Sequence, residues 1–522
     1  MSLSKSVNTL TLLSSAVAGI IGSGWLLSPL VCAKMTGPAA VITWIVGGIL
    51  MMIIASTFVI LTRTVPITGG TVRFFQLTHG HFAGFGFSWI AWLAWIALSP
   101  IEMMAIVQYA SNQFPALMIS TGAAGSLALT PLGTVISIVG MILIGLINSA
   151  GMKVYRRINY FILAIKLIIP ITAAFLLLSF SFHPDNFTQQ GFMPFGIKSI
   201  FAALPLAGVI YSFIGFNPVV QLAGESTNPK RAIPIAIFGA LFICMIIYTL
   251  VQIAFIGALP ANTLSHGFSL ISFVGDKGPY AGLLTLLGFT FFVKALYFDA
   301  CVSPFSTSLV QSVATSRITY AMSQNGYFPA FLSSTNKNGT PVNAIIFNII
   351  VGLLFFLPFP SWQHMVGFLV SCLVIGYVVG PMSLMVLASQ QPELFYPFSK
   401  KMIHALCLLG FYICNLLIFW SGWAVVFKIM ILFCAGYALL ALTMWQNKNA
   451  KIKDTLFIAR GSWTLLYLIG IALISYLGSF GGHNIIPFGM DFMVIAVFSC
   501  FVYSVAYVAA VARGQLLVIS NQ

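Results

Sequence analysis

Long apolar stretches alternate with short polar connections from one end of the chain to the other. A helix of about 20 apolar residues is long enough to cross the hydrocarbon core of a bilayer. We expect about fourteen such helices, and they begin near residues 8, 38, 82, 132, 158, 198, 232, 280, 341, 364, 402, 424, 461 and 488. The connections leave no room for a soluble domain. The pattern therefore predicts an all-α integral membrane protein with a single domain over residues 1–522.

The composition also indicates a protein surrounded by lipid. The 522 residues are 60% hydrophobic and 6% charged, with a mean hydropathy of +1.03. So few charges could not cover the surface of a soluble protein. The first apolar stretch starts near Val7 and no small-residue cleavage site follows it, so it is expected to stay as a helix rather than be removed as a signal peptide.

The formal net charge of +15 would suggest a nucleic acid partner in a soluble protein. Here the distribution of the basic residues instead indicates how the protein is oriented in the membrane. Basic residues gather on alternate connections, as the positive-inside rule describes. The predicted cytoplasmic side holds Lys5, Arg63, Arg73, Lys153, Arg156, Arg157, Lys230, Arg231, Arg317, Lys337, Lys400, Lys401, Lys448, Lys451, Lys453, Arg460 and Arg513. The other side keeps only Lys34, Lys198 and Lys277. Both termini are therefore predicted to be cytoplasmic.

Two spans carry helix-breaking residues near their middle. The first contains Gly19, Gly22 and Gly24, and the sixth contains the stretch Ser212–Pro218. Being five spans apart, they run in opposite directions, which is the pattern of an inverted-repeat transporter with a site at the membrane midplane. Unwound backbone at that depth is tolerated where it lines a cavity. The alternative is that the glycines only allow close helix packing.

Three motifs carry a family resemblance. Residues 19–24 read GIIGSG, residues 224–234 read GESTNPKRAIP, and residues 316–322 read SRITYAM. Together they resemble the amino acid–polyamine–organocation superfamily of transporters, over about residues 8–400. The sequence DACVSP at 299–304 is most similar to the bacterial aspartate–proton symporter branch.

The resemblance implies a five-plus-five inverted-repeat, LeuT-like fold with broken first and sixth helices. The repeat core would cover about residues 8–390, and four peripheral helices would follow at about 400–512. The segment from Ser312 to Thr340, half apolar, is expected to include a short helix lying at the cytoplasmic interface. Such transporters work as monomers or homodimers in the bacterial plasma (inner) membrane.

In this family the substrate carboxylate meets free backbone amides of the broken first helix, and its ammonium meets exposed carbonyls. Successive unpaired N–H groups and a helix N-terminus both favour an anion, and glycines let the backbone approach it. The predicted substrate-binding residues are Ile21, Gly22, Ser23, Gly24, Tyr211, Ser212, Phe213, Gly215 and Glu102. Asn217 stands where many family members have an acidic residue, which puts acid-based gating there in doubt.

Ionisable side chains within spans are costly and therefore point to function. Lys166 lies about eight residues into the fifth span, roughly 12 Å deep at 1.5 Å per residue. The resemblance places such a lysine against the first-helix break in proton-coupled members, where it could alternate between charged and neutral forms. Snorkelling back to the interface is the alternative. Asp299 on the eighth span could neutralise Lys166 or relay a proton, or form a static ion pair.

Glu102 and Lys294 leave more than one role open. Glu102, on the third span, could touch substrate or protons, or be a buried protonated carboxyl. Lys294, on the eighth span, could meet an acidic substrate side chain or only balance Glu102 or Asp299. The eight cysteines all lie in apolar spans without metal-ligand spacing, so we expect packing roles, no metal and no cofactor.

The leading hypothesis is a proton-coupled amino acid symporter. Its expected partners are the amino acid, protons as the coupling ion, and the lipid bilayer, with no nucleic acid. The substrate could be acidic, such as aspartate or glutamate. An amino acid exchanger without net proton flow is the alternative. No protease, lipase or nucleotide-binding motif is present, so no enzyme activity and no catalytic residue is expected. A channel would need charged rings or a repeated filter, and neither is visible.

Overall fold

The computed structural model describes residues 7–120, 127–150, 152–271, 278–337, 339–357, 362–446 and 461–511. Its α-helices are α1 (Thr9–Ile20), α2 (Gly24–Thr36), α3 (Ala40–Thr64), α4 (Gly70–Ala110), α5 (Pro131–Ser149), α6 (Met152–Phe180), α7 (Gly196–Leu206), α8 (Val209–Phe213), α9 (Asn217–Gln221), α10 (Pro229–Gly257), α11 (Ala261–Leu264), α12 (Pro279–Leu286), α13 (Thr290–Gln324), α14 (Val342–Leu353), α15 (Trp362–Tyr377), α16 (Val379–Gln390), α17 (Lys400–Trp420), α18 (Trp423–Gln446), α19 (Trp463–Leu477) and α20 (Met490–Val511).

Shorter elements join these helices. Two strands, β1 (Met118–Ser120) and β2 (Leu127–Leu129), pair antiparallel with Met118 opposite Leu129. The described 3-10 helices cover Gly37–Ala39, Pro115–Leu117, Pro184–Phe187, Ile214–Phe216, Ala223–Glu225, Phe268–Leu270, Ala330–Ser333, Leu354–Phe356 and Pro392–Phe395.

Within the described ranges, nine helices are long and apolar enough to cross a membrane. A further span is formed by α7 together with Val209–Gln221, two segments bent by 52° at a short break. The chain is therefore a multi-pass membrane protein with the all-α, LeuT-like architecture that the resemblance implies. The number fourteen stays a prediction, as does the division into core and peripheral helices. The chain termini and Lys5, Lys277, Lys448, Lys451, Lys453, Arg460 and Arg513 lie outside the described residues.

The first span is broken where its glycines predict. α1 ends at Ile20 and α2 begins at Gly24, and Ile21 between them has an extended backbone with φ −80° and ψ 99°. The sixth span differs in detail from the prediction. It bends at Ala207–Gly208, several residues before Ser212, and then tightens into a 3-10 turn over Ile214–Phe216. Gly208 adopts φ +80°, a conformation that glycine reaches without steric cost, and Pro205 removes a helical hydrogen bond just before it.

The eighth span also differs from the prediction. A short helix, α12, ends at Leu286, and Gly288 with φ +78° separates it from the 35-residue helix α13. α13 continues without interruption to Gln324, so the expected interfacial helix after Ser312 is the buried C-terminal end of α13, and that expectation was wrong. α13 presents many buried serine and threonine hydroxyls, which are tolerated because α13 packs against α1, α4 and α6 rather than lipid.

The two broken spans touch at their glycines. A Cβ atom added to Gly19 would lie 2.7 Å from the carbonyl oxygen of Gly215, and one added to Gly215 would collide with the Gly19 backbone. Only glycine at both positions allows this approach of the two backbones. The contact holds α1 directly against the 3-10 turn of the sixth span.

Candidate functional site at the break of the first helix

The break leaves backbone groups without helical partners in the middle of the molecule. The last carbonyls of α1 and the first amides of α2 have no residue of their own helix to bond. Gly22, Ser23 and Gly24 are all buried, so water does not satisfy these groups freely. Side chains from other helices must therefore do so.

Lys166 of α6 donates hydrogen bonds to the free carbonyls at the end of α1. Its ammonium donates to the Ala18 carbonyl at 2.5 Å, to the Ile21 carbonyl at 2.6 Å and to the Thr307 hydroxyl at 2.7 Å. These contacts use all three donors of a lysine. The side chain is fully buried, so Lys166 does not snorkel to the interface.

Neighbouring carbonyls of the same turn have further partners. Gln311 of α13 donates to the Gly19 carbonyl at 3.3 Å, and the Tyr248 hydroxyl of α10 donates to the Ile20 carbonyl at 2.8 Å. Ser303 also reaches the Ile21 carbonyl, at 3.3 Å. Every carbonyl from Ala18 to Ile21 therefore has a side-chain donor, which stabilises the unwound turn.

Glu102 of α4 accepts a hydrogen bond from a backbone amide at the start of α2. Its Oε2 accepts from the Ser23 amide at 3.0 Å, and its Oε1 accepts from the Tyr211 hydroxyl at 2.7 Å. The Trp362 indole donates to the Ser23 hydroxyl at 2.9 Å and stands perpendicular to the Tyr211 ring. The break thus holds a basic side chain at its carbonyl end and an acidic one at its amide end.

The predicted residues of the sixth span meet the first span at several points. The Ser212 hydroxyl donates to the Gly208 carbonyl at 2.9 Å, and its side chain packs directly on Gly24. Gly215 contacts Gly19. The Phe213 ring instead packs against Trp44 and Tyr248, with ring centroids 5.9 and 5.5 Å away. Phe213 therefore belongs to the aromatic packing behind the site rather than to the break itself.

Asp299 lies near this cluster but stands apart from its hydrogen bonds. It is fully buried on α13, and neither carboxyl oxygen has a hydrogen-bond partner among the described residues. Its position is one helical turn, about 6 Å, before Ser303. Lys294 is exposed, and within the described residues it forms no ion pair with Asp299 or Glu102.

Comparison with known proteins decides the family. A model of the amino acid permease family matches residues 7–421. The chain belongs to this family. The glutamate/serine transporter AimA of Bacillus subtilis (strain 168) is 32% identical over 510 residues, covering 96% of this chain and 93% of the relative. The aspartate-proton symporter of the same organism is 31% identical over 504 residues, covering 96% and 95%.

Other relatives of the permease are more distant. The methylthioribose transporter of Bacillus subtilis (strain 168) is 26% identical over 436 residues, covering 79% of this chain and 87% of the relative. All three relatives are transporters rather than enzymes, in agreement with the expectation from the sequence. The described residues contain no group of three or more histidine, cysteine, aspartate or glutamate side chains able to hold a metal.

The permease has a second polar cluster at its predicted cytoplasmic end. Arg317 of α13 pairs with Glu225 at 3.3 Å, and both side chains are buried. The backbone of Val7 pairs with the same turn, donating to the Glu225 carbonyl and accepting from the Thr227 amide, each at 3.0 Å. The sequence motifs at 224–234 and 316–322 therefore meet in space, and the first of them holds Val7, just before α1.

Several residues of the permease site were not predicted from the sequence. These are Thr307, Trp362, Tyr248, Gln311 and Ser303. The hydroxyl-rich face of α13 is the one signal that could have found Thr307 and Ser303, because serines and threonines at helical spacing imply a protein-facing polar surface. Trp362 and Tyr248 lie in apolar spans where aromatic residues are ordinary, so nothing in their surroundings distinguishes them.

Proposed function

We propose that this permease is a secondary active transporter that takes up an acidic amino acid together with protons into a bacterial cell. The observation that carries the proposal is the buried Lys166 ammonium on the carbonyls of the broken first helix. A cationic group that can gain and lose a proton there is suited to couple the break to a proton gradient. The names of the aspartate and glutamate/serine transporters support an acidic substrate.

The proposed substrate site uses backbone and side chains of three spans. It comprises Ile21, Gly22, Ser23, Gly24, Tyr211, Ser212, Phe213, Gly215 and Glu102. The amides at the start of α2 and the helix dipole favour the substrate carboxylate. Tyr211 adds a hydroxyl donor on the same side as Ser23. These groups recognise the part that all amino acids share, so selectivity for the side chain comes from the surrounding walls.

The proposed proton route involves Lys166 and Asp299. Charged Lys166 ties α1, α6 and α13 together through Ala18, Ile21 and Thr307. Loss of its proton removes the charge that these acceptors stabilise, which loosens the tie between the helices. Asp299 offers a buried carboxyl about two turns before Thr307 on α13 that can receive or supply this proton.

The proposed setting is the bacterial plasma (inner) membrane, with both termini in the cytoplasm. The basic residues of the alternate connections support this orientation. The proposed oligomeric state is a monomer or a homodimer.

The test is uptake of labelled aspartate, glutamate and serine by purified protein in liposomes. We expect accumulation into empty liposomes when the outside is more acidic than the inside, and its collapse when a protonophore is added. Uptake that needs preloaded internal amino acid, and ignores the pH gradient, would identify the exchanger instead. Protein-free liposomes and the Gly22→Ala variant are the controls.

A further inference from the structure

The predicted carboxylate-binding groups of the break already hold a carboxylate. The Ser23 amide donates to Glu102 at 3.0 Å and the Tyr211 hydroxyl donates to it at 2.7 Å. Ser23 is the N-cap residue of α2, and the first amides of a helix favour an anion. Glu102 therefore occupies the position that the chemistry of the break offers to a substrate carboxylate.

Glu102 packs closely against Gly22, and it already uses the Ser23 amide and the Tyr211 hydroxyl as donors. A Cβ atom on Gly22 would lie 2.7 Å from Glu102 Oε1 and 2.8 Å from the Thr307 hydroxyl. The Ser23 hydroxyl accepts a hydrogen bond from the Trp362 indole at 2.9 Å. A substrate carboxylate can bond to the Ser23 amide and Tyr211 only after the Glu102 carboxylate has left them.

Displacement of the Glu102 carboxylate from Ser23 and Tyr211 depends on whether Glu102 is protonated. Among the described residues, the ionisable groups around it are Tyr211 on α8, Lys166 on α6 and Tyr248 on α10, and Asp299 on α13 faces Lys166. A carboxylate accepts stronger hydrogen bonds from an amide and a hydroxyl than the neutral acid does. Protonated Glu102 therefore releases Ser23 and Tyr211 more easily than ionised Glu102.

We propose that Glu102 is a tethered competitor for the substrate carboxylate, and that the amino acid displaces it as Glu102 takes up one proton. The proposal rests on the amino acid site proposed above. The proton comes from the side from which substrate arrives and bonds to a Glu102 oxygen. When the substrate leaves on the other side, Glu102 loses that proton and returns to Ser23 and Tyr211. Substrate and proton thus share one site, with one proton taken up for each carboxylate that enters it.

Glu102→Gln tests this directly, because it keeps the shape of the side chain and removes its charge and its proton. We measure substrate binding and proton uptake together, using the purified variant in weakly buffered detergent solution with a pH indicator. Since a neutral acceptor competes less well than a charged one, the variant should bind the amino acid about tenfold more tightly at neutral pH. On binding it should take up about one proton fewer than the wild type does.

Two controls keep the result interpretable. Asp185→Asn removes an exposed carboxylate outside the site and should behave as the wild type. Glu102→Asp keeps the charge but shortens the side chain, so it cannot reach both donors as well. It should bind substrate more tightly than the wild type while its affinity still rises on acidification. This second variant covers the case in which Glu102→Gln does not fold.

Three outcomes would overturn the proposal. Weaker substrate binding by both variants would make Glu102 a direct ligand of the substrate. Unchanged affinity and unchanged proton uptake would make it a structural brace. Proton uptake that is unchanged in Glu102→Gln but disappears in Lys166→Ala would assign the proton to Lys166 alone. In contrast, a wild type that binds no amino acid would refute the proposed function rather than this inference.

Discussion

The ammonium nitrogen of Lys166 lies 2.6 Å from the carbonyl oxygen of Ile21, at the point where the first helix is broken. The same break holds Glu102 on its amide side, through Ser23. A helix that ends and restarts presents partial negative charge at its carbonyls and partial positive charge at its amides. The two side chains match these charges, so the break is stabilised by opposite charges in the middle of a membrane domain.

Gly22→Ala is expected to abolish amino acid uptake. The added methyl group would lie within 2.8 Å of both Glu102 and Thr307, so one of the two must move out of the site. Uptake into liposomes measures the loss, and size-exclusion chromatography checks that the variant is folded. Gly239→Ala is the matched control, because its methyl group would meet its nearest neighbour, Leu13, at an ordinary 3.4 Å. Normal uptake by Gly22→Ala would show that the break is not the substrate site.

Thr307→Val is expected to destabilise the protein and to weaken proton coupling. The substitution removes one of the three acceptors of the buried Lys166 ammonium, and the loss of such a bond costs about 1–3 kcal/mol. Thermal unfolding in detergent should show a lower midpoint, and gradient-driven accumulation should fall more than exchange. Thr315→Val removes a hydroxyl two turns along the same helix, where it bonds only to backbone carbonyls. Equal effects of the two variants would contradict the role of Thr307.

The buried pair of Arg317 and Glu225 gives a prediction for a region away from the break. Glu225→Gln leaves the Arg317 charge buried without its partner, which is expected to cost about 3–5 kcal/mol of stability. The double variant with Arg317→Gln should recover part of this loss, because no unpaired charge remains. Thermal unfolding of the wild type, both single variants and the double variant completes the cycle. Simple addition of the two single effects would show that the residues do not interact.

The broken first helix could be predicted from the sequence because its signal is local. Three glycines within six residues, Gly19 to Gly24, are enough to end one helix and start the next. The bend of the sixth span was misplaced for the same local reason. The sequence predicts the break within Ser212–Pro218, but Pro218 near the start of a helix is tolerated. Pro205 followed by Gly208 inside the span produces the bend instead.

Local sequence patterns could not predict the contacts within the site. Lys166 and Ile21 are 145 residues apart, and Glu102 and Ser23 are 79 residues apart. Local patterns carry no information on which faces of distant helices meet. The composition of the spans therefore identified Lys166, Glu102 and Asp299 as costly charges in the membrane, and only the family resemblance placed Lys166 against the break.

Accumulation by Lys166→Ala under a pH gradient tests the central claim most directly. The variant and the wild type are reconstituted at equal density, and labelled amino acid is measured in empty liposomes with an acidic exterior and in preloaded liposomes without a gradient. We predict that Lys166→Ala loses gradient-driven accumulation and keeps exchange, because Lys166 couples the break to protons while the substrate binds elsewhere on it. Accumulation equal to that of the wild type would contradict the account.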